Sequence, residues 1–236
     1  MDTIIEVILY SFASGVTVLI GSLLARNKIL PGGELGGEIS HSIVAFGTGV
    51  LVAAVAFVLT PRAISLLSLP VLVSIFLSGV ILFSLLDRLI GRYGGRLAQL
   101  MAMSMDYIPE AVALGSIFSY DRKTGLLLAI FIGLQNLPES YNAFGDLTKS
   151  GFSPNKSLLI LVPFSFVGII AAVLGYLFLN ENGNLISSLM LFSAGGILYL
   201  VFQDIAPMIK YKSHKAPAFS ATIGFMIGMI GTKVFS

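Results

Sequence analysis

The 236-residue sequence contains neither cysteine nor tryptophan. The first absence excludes a disulfide framework and any thiolate metal site. The second leaves an aromatic belt at a membrane surface to the 8 tyrosines. Charge is scarce as well. Asp, Glu, Lys and Arg make up 11% of the chain, against roughly 25% in an ordinary soluble domain. The formal net charge of +2 is too small to attract a nucleic acid. Histidine occurs only as His41 and His214, far apart, and each reads as a surface residue. The start, Met-Asp-Thr, is acidic where a cleavable signal peptide is basic, and the first apolar run exceeds 20 residues. A spanning helix is expected there.

What the chain does have is apolar length. It is 56% hydrophobic, with a mean hydropathy of +0.94, so it reads as an integral membrane protein. A helix needs about 20 residues to cross the hydrocarbon. Eight stretches qualify: 4–25, 41–60, 66–86, 98–119, 124–147, 157–179, 185–206 and 216–235. Turn or charge signals separate them, such as Pro31-Gly32-Gly33, Asp121-Arg122-Lys123 and Asn180-Glu181-Asn182-Gly183. No break is long enough for a second domain, so residues 1–236 read as one all-α transmembrane domain.

Basic residues set the sidedness. Arg26, Lys28, Arg88, Arg92, Arg96, Lys149, Lys156, Lys210, Lys212 and Lys215 fall in the odd-numbered connections, and Arg62, Arg122, Lys123 and Lys233 on the other side. The balance of 10 to 4 puts the odd connections in the cytoplasm and both termini outside, in a cell (inner or plasma) membrane.

The second and seventh stretches repeat a pattern. Phe46-Gly47-Thr48-Gly49-Val50-Leu51 is followed by Pro61, and Phe192-Ser193-Ala194-Gly195-Gly196-Ile197 by Pro207, each proline 15 residues after its phenylalanine. The fourth and fifth share a Pro-Glu pair, Pro109-Glu110 and Pro138-Glu139. Successive spans run in opposite directions. The expectation is therefore an inverted repeat, helices 1–3 against 6–8, around central helices 4 and 5 broken by their prolines. Such repeats place a transporter's site near the midplane.

A glutamate deep in a membrane helix persists when it faces a cavity, a partner charge or an ion. Asp106 and Glu110 are four residues apart, as are Gln135 and Glu139, so each pair shares a helix face. Where the faces meet they offer three carboxylates and an amide oxygen, and Pro109 and Pro138 free the carbonyls of Met105 and Leu134. Oxygen-rich sites suit hard or borderline divalent cations. Met101, Met103 and Met105 carry soft thioethers, but a methionine in an apolar helix is more often filler. Tyr107 and Asn136 follow the first ligand candidates and read as path-lining residues. Gln203 and Asp204, at the inner end of the seventh span, read as a gate or as interface residues in equal measure. Asp146 reads as solvated and Glu6 as interfacial.

These residues resemble the ZIP family of divalent-metal transporters, in particular its short prokaryotic members. The likeness rests on Phe46–Ala54, on Gly133-Leu134-Gln135-Asn136-Leu137-Pro138-Glu139 and on Ala194-Gly195-Gly196-Ile197-Leu198-Tyr199, and covers most of the chain. It implies a metal site between helices 4 and 5 formed by Asp106, Glu110, Gln135, Glu139 and Asn136. It also implies metal movement toward the cytoplasm by a rigid shift of one helix group against another, a homodimer, and a divalent ion (Zn, Fe, Mn, Co or similar) as substrate with no organic cofactor. The sequence departs from the family at several places, among them Ser140 for the usual glycine after the helix-5 glutamate and a connection, residues 87–97, without histidine. Helix 4 of the family reads His-Asn-x-Pro-Glu-Gly, but here Asp106 and Tyr107 stand for the His and Asn. Gly168 stands where relatives carry a helix-6 glutamate that helps hold a second metal. A single-ion site follows, with an oxygen set that favours Mn, Fe(II), Co or Mg more than is usual in the family. The alternatives are a ZIP-like sensor or scaffold with a degenerate site, and a carrier of another cationic solute. An intramembrane enzyme is not expected, because no His-Glu-x-x-His occurs.

Overall fold

The computed structural model describes residues 3–179, 183–209, 212 and 215–235; His214 lies outside the described residues, as does the side chain of Asp204. The described residues form eight principal helices, with short helical turns beside them, and no strand. They are α1 (Thr3–Arg26), α2 (Gly33–Ala54), α3 (Leu69–Tyr93), α4 (Ala98–Phe118), α5 (Arg122–Lys149), α6 (Pro154–Leu161 and Phe164–Leu179), α7 (Gly183–Leu200) and α8 (Ala216–Phe235). Six of them are long and apolar enough to cross a membrane. The two that fall short are α4 and α5, which carry the acidic and amide residues just described.

The helix ends follow local chemistry. Asp121 caps α5 by accepting from the backbone N–H of Thr124 at 3.1 Å. Pro70 and Pro154 occupy the first turns of α3 and α6, where a missing N–H costs nothing. Gly151, at φ 94°, makes the left-handed turn out of α5. α2 begins at Gly33, well before residue 41, because its polar first turns extend beyond the apolar stretch.

The prolines divide into two kinds. Pro109 and Pro138 lie inside continuous helices, so α4 and α5 lose a hydrogen bond each but are not broken as expected. Neighbouring helices hold them in line. Pro163, in contrast, separates the two pieces of α6. α2 and α7 each continue into a π-helical turn, Val55–Leu59 and Val201–Ile205, followed by short helices Pro61–Leu66 and Ala206–Ile209. In the first turn the Thr60 N–H donates to Val55 O, five residues back, at 3.1 Å.

Packing divides the helices into two groups. α1 packs on α5 and α6, and α4 packs on the same two, which makes an inner group of four. α2 pairs with α8, and α3 with α7. The groups meet where α2 lies on α5 and α7 on α4. Small residues allow the close crossings. Gly49 abuts Ala221 O and Gly224 abuts Phe46 O; in the other pair Gly195 abuts Phe76 O and Gly79 abuts Phe192 O. Inside the inner group Gly115 lies against Ala172 O and Gly175 against Val112 O.

Candidate functional site

The two polar faces do meet. Asp106, Glu110, Gln135 and Asn136 are 4%, 0%, 1% and 0% exposed. The Gln135 side-chain amide donates to Glu110 Oε2 and joins α4 to α5 directly. The charges of Asp106, Glu110 and Glu139 lie within electrostatic reach of one another. Asp106 Oδ1 accepts from the Tyr107 N–H at 2.8 Å, and Asn136 Nδ2 donates to Ser14 O of α1 at 3.3 Å.

After those bonds, four acceptor oxygens stay buried without a partner: Glu110 Oε1, Gln135 Oε1, Asn136 Oδ1 and Glu139 Oε2. Leaving such atoms unpaired in an apolar interior is costly. Every described Lys and Arg lies in a connection or near a helix end. Among the described residues no group of three or more His, Cys, Asp and Glu side chains is gathered around one point. The constellation is instead mixed, with an amide laced in among carboxylates.

A cavity of about 380 Å³ opens beside this constellation, at the seam between the two helix groups. Val44, Gly47 and Thr48 of α2 and Leu200, Gln203 and Ile205 of the α7 strip form one wall. Ala102, Met103 and Asp106 of α4 and Pro138, Glu139 and Asn142 of α5 form the other. It runs from buried Asp106 to exposed Gln203, toward the ends of the helices that carry the lysine-rich connections. Gly47 makes room for the ring of Pro138, whose Cγ is 2.6 Å from where a Cβ on residue 47 would stand. Beyond Glu110 the seam is closed by apolar side chains, including Leu51, Val55, Leu114, Phe131 and Met190.

The structure therefore brings Asp106 and Glu139 to one cavity, with Glu110, Gln135 and Asn136 buried close by. Gln203 stands at the cavity mouth. Tyr107 does not line it: the side chain is 1% exposed and its hydroxyl lies against Gly168 of α6. One step from Asp106 on a helix is a turn of about 100°, enough to face away. Asn142 and Thr48 line the cavity and were not expected. Asn142 was findable, since it follows Glu139 by three residues and Gln135 by seven on the same face. Asp146, paired with Lys149 at 3.2 Å, and Glu6, paired with Arg122 at 3.4 Å, stand at helix ends.

Residues 97–235 match the family model described as ZIP Zinc transporter. The chain is similar to Zinc transporter GufA of Myxococcus xanthus, 28% identical over 141 residues, which are 59% of this chain and 54% of that protein. It is also similar to Zinc transporter YKE4 of Saccharomyces cerevisiae, 25% identical over 118 residues, 45% of this chain and 34% of that one. It thus spans from a third to about half the length of these curated relatives.

Proposed function

The chain belongs to the ZIP zinc transporter family, and from that premise we propose that it carries a divalent metal cation across a membrane through the carboxylate site between α4 and α5. The observation that carries this reading is the set of unpartnered buried oxygens on Glu110, Gln135 and Glu139. A cation entering from the cavity would give these oxygens a partner once the side chains close in on it, with Asp106 on the cavity wall as a further candidate ligand. The protein acts as a transporter with the metal as cargo, not as an enzyme, and needs no organic cofactor.

The donor set is oxygen only. It suits Mn, Fe(II), Co or Mg as well as zinc, because an imidazole is missing. Asp106→His restores a borderline-soft ligand. Vesicle uptake of Zn against Mn is expected to shift toward zinc by roughly 10-fold or more, since even partners one step outside a metal site change affinity that much. An unchanged preference would count against Asp106 as a ligand.

The site holds one ion. The Tyr107 phenol fills the space over Gly168, so a side chain at 168 has no room. Titration of purified protein is expected to give one metal per chain, and the double change Tyr107→Asn with Gly168→Glu is expected to give two. A wild-type stoichiometry of two would overturn the single-ion reading.

Sidedness completes the proposal. The positive-inside count places the cavity mouth in the cytoplasm and both termini outside, so the described conformation faces inward and release is toward the cytoplasm. The inverted repeat of helices 1–3 and 6–8 is supported by the packing. Exchanging α1 with α6, α2 with α7, α3 with α8 and α4 with α5 maps α1 on α5 onto α6 on α4, and α2 on α8 onto α7 on α3. The π-turns begin 9 residues after Phe46 and after Phe192. A homodimer in the plasma membrane belongs to the same proposal, with exposed apolar residues such as Leu77, Ile81 and Leu85 of α3 facing lipid or a second copy. Reconstitution into vesicles tests the whole reading: saturable metal uptake is expected, whereas binding without movement would make the protein a sensor or scaffold.

A further inference from the structure

Arg62 follows Pro61, just past the π-turn of α2, and Tyr120 lies between α4 and α5. The guanidinium carbon of Arg62 stands 3.7 Å from the centroid of the Tyr120 ring, well inside the ~6 Å limit for a cation over an aromatic face. The same guanidinium covers the first residue of α7: a side chain on Gly183 would come within 2.8 Å of Arg62 Nη2. The Tyr120 hydroxyl is 4.0 Å from Met190 Sδ, also on α7. Tyr120 belongs to the inner four-helix group, whereas Arg62, Gly183 and Met190 belong to the outer pairs. The contacts of Tyr120 with Arg62 and Met190 thus span the seam that contains the cavity, but at its other end. Thr48, in the cavity wall, and Arg62 are 14 residues apart, or about 20 Å of helix. Between them lies the apolar plug of Leu51, Val55 and Leu114.

We propose that Arg62 and Tyr120 form a latch that keeps the two helix groups closed on the face opposite the cavity, and that this latch must open before an ion can enter from that side. The proposal rests on the transport reading and adds the residues that gate it. Its logic is geometric. If the groups move as bodies, the seam can open at one end only by parting the contacts that cross it there, and this is a charged contact outside the lipid that water can replace. Partial burial raises the Tyr120 phenol above its ordinary value, while Arg62 pulls it down. The ring stays neutral, so the contact is a cation on an aromatic face and not an ion pair.

The absence of native cysteine makes a direct test clean. Single reporters are placed at Ala54, 0% exposed within the plug, and at exposed Gln203, at the cavity mouth. Labelling by a membrane-impermeant maleimide is followed from each side of sealed vesicles, without metal. Arg62→Ala is expected to raise labelling of Ala54→Cys from the latch side by roughly fivefold, the scale of one lost cation–aromatic contact, and to lower labelling of Gln203→Cys from the cavity side. Tyr120→Leu should do the same, whereas Tyr120→Phe keeps the ring face and the latch. Unchanged Ala54→Cys labelling in both Arg62→Ala and Tyr120→Leu would overturn the latch. So would a rise at both reporters, which marks loosened packing. Wild-type uptake with no labelling shift sinks the latch alone, and a labelling shift in a wild type that moves no metal sinks the transport reading.

Discussion

Glu139→Ala is expected to weaken divalent-metal binding by about 100-fold or more and to remove uptake. Loss of a partner one step outside a metal site already costs 10- to 100-fold, and in the proposed site Glu139 would touch the ion itself. Its carboxylate lines the cavity with one oxygen buried and unpaired. Removing it takes away a charge as well as a ligand from the cavity wall. Glu139→Gln keeps the volume and one oxygen and is expected to fall between wild type and alanine. Met103→Leu is the control. Met103 lines the same cavity and is 4% exposed, but a volume-conserving swap of an apolar filler should change affinity by no more than about twofold. Equilibrium binding of Mn and Zn to purified protein checks both. Equal losses in Glu139→Ala and Met103→Leu would show that the site is misassigned.

Gly115→Ala is expected to prevent assembly of the fold. A methyl there runs into the backbone oxygen and carbon of Ala172, atoms that no rotamer change can move. Over-packing a core costs about 1–3 kcal/mol even where side chains can yield; here α4 and α6 must separate, and that separation also displaces Asp106 and Glu110. Gly145→Ala and Gly91→Ala are the contrast, because nothing lies within 4 Å of a Cβ at either position. In a helix interior each should be neutral or stabilising by up to ~1 kcal/mol. The yield of monodisperse protein in detergent and its thermal midpoint separate the outcomes. A Gly115→Ala protein with wild-type yield and midpoint would mean that the α4–α6 crossing is looser than described.

Much of this was legible in the sequence, for particular reasons. Six of the eight helices follow from apolar length, and the bounds of the others from breaks such as Asp121-Arg122-Lys123. The meeting of α4 and α5 follows from the four-residue spacing of Asp106 with Glu110 and of Gln135 with Glu139. Prolines were less legible. Pro109, Pro138 and Pro163 look alike within apolar runs, yet only Pro163 interrupts its helix. What separates them is tertiary support, which the local sequence does not contain. The direction of Tyr107 depends on the empty volume at Gly168, 61 residues away, so the pairing emerges only once α4 and α6 are packed.

The wide turns at Val55–Leu59 and Val201–Ile205 have a consequence for motion. Each stores one surplus residue in its winding. Tightening the first to ordinary pitch would swivel everything after it by about 100° and carry Arg62 off the ring of Tyr120. The same rewinding in the second would turn Gln203 away from the cavity mouth. One small change of pitch in either helix would thus move a residue at one end of the seam between the two helix groups.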